Sequence, residues 1–486
     1  MYHTLQIQVK QSNPLYAYLE RTSHLANNLY NAGLFRCRQL ITASKKEQKD
    51  LTENEKKVIK EFSTAFPDMK YSFGYASLDR VMRANHNPDF FAEGLSKQTA
   101  QHVLKQVARD VKGFFASLNA YKQNPSVFMG KPNIPGYHRK GGLSTITFTN
   151  QDCVLYSGDD TSYMKFPGTK ERLNVGKCPV DGCLKEVKAK PYHNIFIVYL
   201  TFDDGKPEPV MKEHPERICA IDFGVENLAA ITNNVGLPCL LFKGGVLKSQ
   251  NQWYNKRMAN IASKQTIGTT DKFQPTTESQ VVCLKRENQV VDFSRKLCKR
   301  IVDWCMENDI DTVVVGNNSG WKQNSDMGKK SNQEFVQLPF GRIIQMLELK
   351  ALQNGIRVMK QEESYTSKAS YLDNDPIPVC GENDNDAVFS GKRRPYKYKG
   401  VSQKDGYRGL YTAKDGSVIN SDLNGSANIG RKALPELFTG VVDFSSVIVI
   451  KHPDYEFRKE NQKKQKANAK PSKSKARRLA AKALKK

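Results

Sequence analysis

The sequence predicts a multidomain α+β chain in which a helical region and a small barrel or sandwich precede an α/β domain. Three observations carry that prediction. From about residue 14 to 122, apolar residues recur at three- and four-residue spacing, as in LYAYLERTSHLANNLYNAGLFRCRQLI. Between Lys131 and Asp203 the pattern changes to short β-type runs (LSTITFTN, SYMKFP, NIFIVYLTF) divided by Gly, Pro and Asn. Beyond Arg217, buried-strand patterns such as ICAIDFG and DTVVVGNN alternate with long amphipathic helices.

Each element has a local reason. Residues 3–9 alternate apolar and polar, as a half-buried strand does. The helical region takes 11–127, and its second long helix opens at Ser96-Lys97-Gln98-Thr99-Ala100, with Ser96 or an upstream residue as cap, and continues through VLKQVARDVKGFFASLNAY. Residues 128–215 read as a small barrel or sandwich. The α/β domain takes 216–370. It begins with ICAIDFG and its hairpin partners AAITNN and CLLFKGG, followed by helices over 248–264 and 278–308. DTVVVGNN, the helix FGRIIQMLELKALQNG with Gly355 as its stop, and the strand IRVMKQEE complete it. A basic insertion, 371–418, precedes the segment 419–440, in which NSDLNGSANIGRKAL starts a helix with Asp422 in its first turn. Residues 441–486 form a C-terminal segment and a Lys/Arg-rich tail.

Charge narrows the partners. Lys and Arg outnumber Asp and Glu by 75 to 50, a formal +25. Residues 458–486 hold 13 Lys/Arg against the single acid Glu460, which is about half of the excess. The remainder belongs to the body of the chain, so a polyanion, nucleic acid above all, is the expected partner. The ten cysteines are scattered without a disulfide framework, which points to a reducing cytosol. MYHTLQIQVKQSN lacks the apolar core of a signal peptide, and no run reaches the ~20 apolar residues of a membrane helix. A cytoplasmic protein without a membrane partner is expected.

Acids at the ends of separate elements supply the chemistry. Asp222 closes the strand ICAI, and Asp422 sits in NSDLNGSANI at a helix start. Either alone is an ordinary turn or cap residue. Three such acids converging on one edge would suit two-metal phosphodiester chemistry, in which paired cations stabilise the attacking and leaving oxygens.

IDFGVENLAAIT and DLNGSANIGRK resemble the first and third RuvC motifs of the TnpB proteins of insertion sequences, relatives of the type V CRISPR effector nucleases. QTAQHVLKQVARDVKGFF, KPNIPGYHRK, KSQNQWYNKR and EESYTSKAS are similar to further blocks of that family. The resemblance implies a helical recognition region, an OB-like β-barrel wedge domain made of residues 1–10 as its first strand and 128–215, and an RNase H-like RuvC nuclease domain. It implies RNA-guided cleavage of double-stranded DNA beside a short adjacent motif, with a guide RNA and two Mg²⁺ ions, for which Mn²⁺ could substitute.

Two departures from the family pattern follow. Gly316 stands at the end of DTVVVG, where the family usually carries the Glu of its second motif. Some members place that acid later, just before a TS pair, which here is Glu363 in EESYTS; Glu362 is the adjacent alternative. If IRVMKQ lies parallel beside DTVVVG, the glycine leaves room for Glu363 to reach in from the neighbouring strand. The catalytic and metal-holding set is therefore Asp222, Glu363 and Asp422. The family's four-cysteine zinc ribbon is also missing: Cys380 is the single cysteine between Ser364 and Asp422, and no zinc site is expected. Basic and aromatic residues mark candidate nucleic-acid contacts: Tyr137, Arg139 and Lys140, then Lys392, Arg393 and Arg394. Lys97, Gln98 and Gln101 at the helix opening resemble the family's reader of the adjacent motif. Two rival functions remain: a guide-dependent DNA-binding protein with an inactive nuclease, and a transposition-associated strand transferase.

Overall fold

A computed structural model of the chain describes residues 1–67, 72–158, 160–178, 182–268, 272–317, 336–381, 387–393 and 409–454. The chain divides into two units, Met1–Pro207 and Glu208–Lys486. Among the described residues no helix is long and apolar enough to cross a membrane.

The first unit starts with strand β1 (Tyr2–Val9), whose alternation of half-buried and exposed residues is the period-2 pattern of its sequence. Four helices follow: α1 (Leu15–Ala43), α2 (Glu53–Ala65), α3 (Tyr75–Ala84) and α4 (Lys97–Gln123). They close on a core that includes Leu34, Phe62, Leu78, Val81, Leu104 and Val107. Ser96 caps α4 by accepting from the Thr99 N–H, and Thr52 with Glu55 forms a capping box on α2. Six strands complete the unit: β2 (Ile146–Thr149), β3 (Val154–Tyr156), β4 (Ser162–Lys165), β5 (Arg172–Gly176), β6 (Cys183–Tyr192) and β7 (Ile195–Asp203). They form a four-stranded sheet, β1-β7-β6-β2, and a three-stranded sheet, β3-β4-β5. Phe148, Met164, Phe166, Leu173, Phe196 and Phe202 fill the one core that both sheets share. His193 and Asn194 turn β6 into β7 with φ of +44° and +59°, the two-residue turn whose twist matches that of a hairpin.

The second unit is built on a six-stranded sheet. Its strands are β8 (Ile218–Asp222), β9 (Asn227–Asn233), β10 (Cys239–Lys243), β11 (Thr312–Gly316), β12 (Arg357–Gln361) and, much later in the chain, β16 (Val447–Ile450). The spatial order is β12-β11-β8-β9-β10-β16. Strands β8, β9 and β10 form an antiparallel meander, whereas β11 and β12 add parallel to β8. This is the RNase H-like arrangement expected from the sequence. The crossovers are helical: α5 (Gly245–Thr266) and α6 (Thr277–Glu307) lead to β11, and α7 (Phe340–Leu352) leads to β12. Gly355, at φ +71°, lets the chain leave α7, and the next amide (Ile356) donates to Ala351 O.

Helices α6 and α7 cover one face of this sheet through Leu297, Ile301, Ile343 and Leu347, packed on Ile221, Val313 and Val315. Two short strands of the insertion, β13 (Lys392–Arg393) and β14 (Leu410–Thr412), join β15 (Val418–Asn420) in a three-stranded sheet. Helix α8 (Ser421–Ala433) then covers the other face of the large sheet, with Ala427 and Ile429 against Ile218, Ala220 and Val314. Strand β16 pairs parallel with β10 and lies at the sheet's edge.

Candidate active site

Side chains alternate along a strand, and that alternation aims the site. Ile221 and Val315 face α6 and α7, so Asp222 and Gly316, the next residues of β8 and β11, face α8. Because β8, β11 and β12 are parallel, their C-terminal ends open on one edge. Asp222 is the last residue of β8, and Glu363 follows the end of β12 by two residues. Asp422 enters from α8, whose first turn is fixed by Asn420. The Asn420 side chain accepts from the Asp422 and Leu423 N–H groups at 2.9 and 3.2 Å.

Two glycines make room for these carboxylates. A Cβ at Gly425 would stand 2.7 Å from Asp222 Oδ2, so a side chain there would push that carboxylate aside. A Cβ at Gly316 would collide with Glu363 Oε2 and come within 2.6 Å of Ile429 Cδ1. The glycine that departs from the family pattern thus borders the very carboxylate it would otherwise exclude. Helix α8 is anchored on β8 by Ser426, whose hydroxyl donates to Ala220 O at 2.8 Å. It is anchored on the 364–371 segment by Asn428, which donates to Thr366 O and Ala369 O at 2.9 and 2.7 Å, and by Asn424, which donates to Ala369 O at 2.8 Å.

The acids act on one another. Burial, and then the charge of Asp422, push the Asp222 carboxyl up to about 7, while Arg393 opposes the shift. Burial, then Asp222 and Glu362, push Glu363 up to about 9. Glu362 is engaged otherwise: Lys432 Nζ lies 2.7 Å from its Oε2, and the Ser364 N–H donates to its Oε1 at 2.6 Å. Partial burial works to raise its pKa, but Lys432 and Ser364 bring it below the ordinary value. Asp422 Oδ2 accepts from Asn227 Nδ2 at 2.7 Å, and Arg393 Nη2 lies 3.3 Å from its Oδ1.

Among the described residues no three Asp, Glu, His or Cys side chains form a ready-made chelate. The donor set nonetheless fits a hard divalent cation. Asp222 is the carboxylate that feels both Glu363 and Asp422, and each interaction is a repulsion that a cation between oxygens relieves.

The structure does not bring the other sequence candidates to this edge as a group. Lys97, Gln98 and Gln101 lie in the first turns of α4, in the first unit. Gln98 has its amide engaged by Gln151, 2.7 Å away, and by the Thr149 hydroxyl. Tyr137 is 48% exposed beneath the Arg38 guanidinium, and Arg139 and Lys140 are exposed beside it. Lys392 is exposed on β13, while its neighbour Arg393 turns inward to Asp422. Arg394 lies outside the described residues. Asn227, Lys243 and Asn420 escaped sequence reading. Asn420 was the most legible of the three, as an Asn two residues before the helical acid.

Two family models match this half of the chain: OrfB_IS605, "Probable transposase", over residues 203–322, and the Cas12f1-like TNB domain over residues 340–429. Over these two segments the chain is similar to the TnpB and type V effector proteins. A TnpB-like protein, ORF457 of Acidianus two-tailed virus, is 23% identical over 261 residues, covering 53% of this chain. The matched stretch spans 49% of that relative's length. Similar solved structures include a Cas12f1–sgRNA–target DNA complex, 15% identical with a TM-score of 0.32, covering 89% of this chain and 100% of the other. An AacC2c1–sgRNA–extended non-target DNA ternary complex is 9% identical with a TM-score of 0.37, covering 85% and 67%. The first matched segment contains Asp222 and Gly316, and the second contains Glu363 and Asp422.

Proposed function

We propose that the chain is an RNA-guided DNA endonuclease that cuts double-stranded target DNA beside a short adjacent motif, with Asp222, Glu363 and Asp422 as the acids that hold Mg²⁺. One observation carries the reading. Three carboxylates from β8, the end of β12 and α8 face one sheet edge, and the glycines at 316 and 425 are the positions where any side chain would strike two of them. When bound, the cations would supply a Lewis acid for the attacking and leaving oxygens of phosphodiester hydrolysis. Asp222, between the other two acids, would be the shared ligand. Glu363 takes the place that Gly316 leaves open. Arg393, beside Asp422, is placed to balance the negative charge of the site and to meet a phosphate. The basic body and tail supply attraction for guide RNA and DNA backbones.

The relatives support a guide and a DNA target: the similar Cas12f1 structure is a complex with sgRNA and target DNA. The "Probable transposase" description of the first family model favours strand transfer as the second reading. One experiment separates them. The purified chain should carry a discrete RNA, and with Mg²⁺ it should cut double-stranded DNA matching that RNA, whereas EDTA should stop it. Glu363→Gln should abolish cutting and keep DNA binding. Integration products formed without RNA and after ribonuclease treatment would establish the strand transferase instead. Wild-type binding without any cutting would leave a guided DNA-binding protein.

A further inference from the structure

We propose that Asn227 and Lys243 are positioning residues that set the orientation of the Asp422 carboxylate through one fixed amide. The inference rests on the reading of Asp422 as a metal ligand. Lys243 Nζ donates to Asn227 Oδ1 at 2.6 Å, and Asn227 Nδ2 donates to Asp422 Oδ2 at 2.7 Å. A lysine ammonium only donates and an ionised carboxylate only accepts. An amide between them therefore has one satisfied orientation, oxygen toward Lys243 and nitrogen toward Asp422. Without the lysine, the buried amide oxygen loses its donor, and the amide is held from the carboxylate side alone.

The backbone is shaped to make this contact. Strands β9 and β10 pair Phe242 with Ala229 but Lys243 with Asn227, so a bulge leaves Leu228 without an opposite residue. A regular register would set Lys243 against Leu228. The bulge instead brings Lys243 beside Asn227 at the edge where Asp222 ends β8. The next residue holds the two strand ends together. The Gly244 N–H donates to Glu226 O at 2.9 Å, and a Cβ at Gly244 would collide with Val225 O. Asn227 is only 4% exposed, so water is a poor substitute for either of its partners. Arg393 lies at the other oxygen of Asp422, which leaves that carboxylate held from both sides before any cation arrives. Partners that orient a metal ligand typically change metal affinity about 10- to 100-fold when removed.

The test is Mn²⁺ binding, followed by electron paramagnetic resonance, to the full chain with its co-purified RNA. Lys243→Met and Asn227→Leu should each weaken Mn²⁺ binding about 10-fold, and Lys243→Arg should recover most of it. Because the two residues act as one unit, the Lys243→Met/Asn227→Leu double variant should be no weaker than either single one. Thermal unfolding of each variant checks that the fold is kept. Additive losses, or Lys243→Met with wild-type Mn²⁺ affinity, would overturn the inference. Asp222→Asn is the reference: if it binds Mn²⁺ as wild type does, the metal site itself is misread and the proposed function fails with it. If Asp222→Asn weakens binding while Lys243→Met does not, only the positioning role fails.

Discussion

At Gly316 the missing side chain matters because any Cβ would overlap Glu363 Oε2 and press Ile429 Cδ1 at 2.6 Å. Gly316→Ala should therefore displace the carboxylate rather than unfold the domain. The expected outcome is a fall in cleavage of about 100-fold, with ~1–3 kcal/mol lost from stability, measured by single-turnover cutting and urea melts of the same preparation. The pH dependence of the site follows from its raised carboxyls. Asp222 at about 7 and Glu363 at about 9 hold protons more tightly folded than unfolded. Stability from these groups is therefore full below the ordinary carboxylate range and is lost as pH rises through 7 and 9. In EDTA, the unfolding midpoint of the wild type should drop more steeply from pH 6 to 9.5 than that of an Asp222→Asn/Glu363→Gln variant; parallel curves would refute it. At this scale the sequence was uneven. The absent acid at Gly316 and the EESYTS motif led to Glu363, because an absence inside a motif is itself readable. Arg393 looked like one more cation of GKRRPYKYKG, because charge in a sequence does not say which way a side chain points.

Elements hold these residues at fixed reach. The start of α8 depends on Asn420, whose side chain accepts from the Asp422 N–H at 2.9 Å. Asn420→Ala should cost about 1–2 kcal/mol and should also raise the Mg²⁺ requirement for cutting, since the cap fixes the backbone of the acid itself. Asn420→Asp, which keeps the cap, should recover the stability; chemical denaturation and a Mg²⁺ titration check both. In the first unit, Glu55 is drawn down to about 2 by the Lys46 ammonium, then by the Thr52 N–H. A depressed carboxyl stabilises above its ordinary pKa and ceases to do so as pH falls through the folded value. Glu55→Gln should lower the thermal midpoint at pH 7, and calorimetry should find that difference closing toward pH 2. Most long elements were legible because their periodicity is local: α6 was expected over 278–308 and runs over 277–307. Strand β16 was not, although Val447–Ile450 is wholly β-branched. Four residues give too short a pattern, and its partner β10 lies some two hundred positions earlier in the chain.

For the whole molecule, charge would decide how the proposed nuclease meets nucleic acid, and the excess is not evenly spread. Residues 458–486 carry 13 Lys/Arg against one acid, while the rest of the chain carries the other half of the +25. The tail lies outside the described residues, so its contribution is argued from composition alone. Basic segments bind phosphates by releasing counterions, which makes their affinity fall with salt and leaves it blind to sequence. The site, by contrast, sits on strand ends and α8, all of them among the described residues. Removing residues 458–486 should therefore separate the two properties. Binding to non-matching duplex DNA should weaken, and the plot of log affinity against log salt should become shallower by about 0.9 for each phosphate the tail had neutralised. Cutting of a matching target, once enough DNA is supplied to saturate the shortened chain, should keep the same position and the same Mg²⁺ dependence. Fluorescence anisotropy across a salt series and end-mapping of the cleaved strands measure the two effects on one preparation. A shortened chain with an unchanged salt slope would mean that the body alone grips the backbone. A shifted cut position would mean that the tail reaches the site after all.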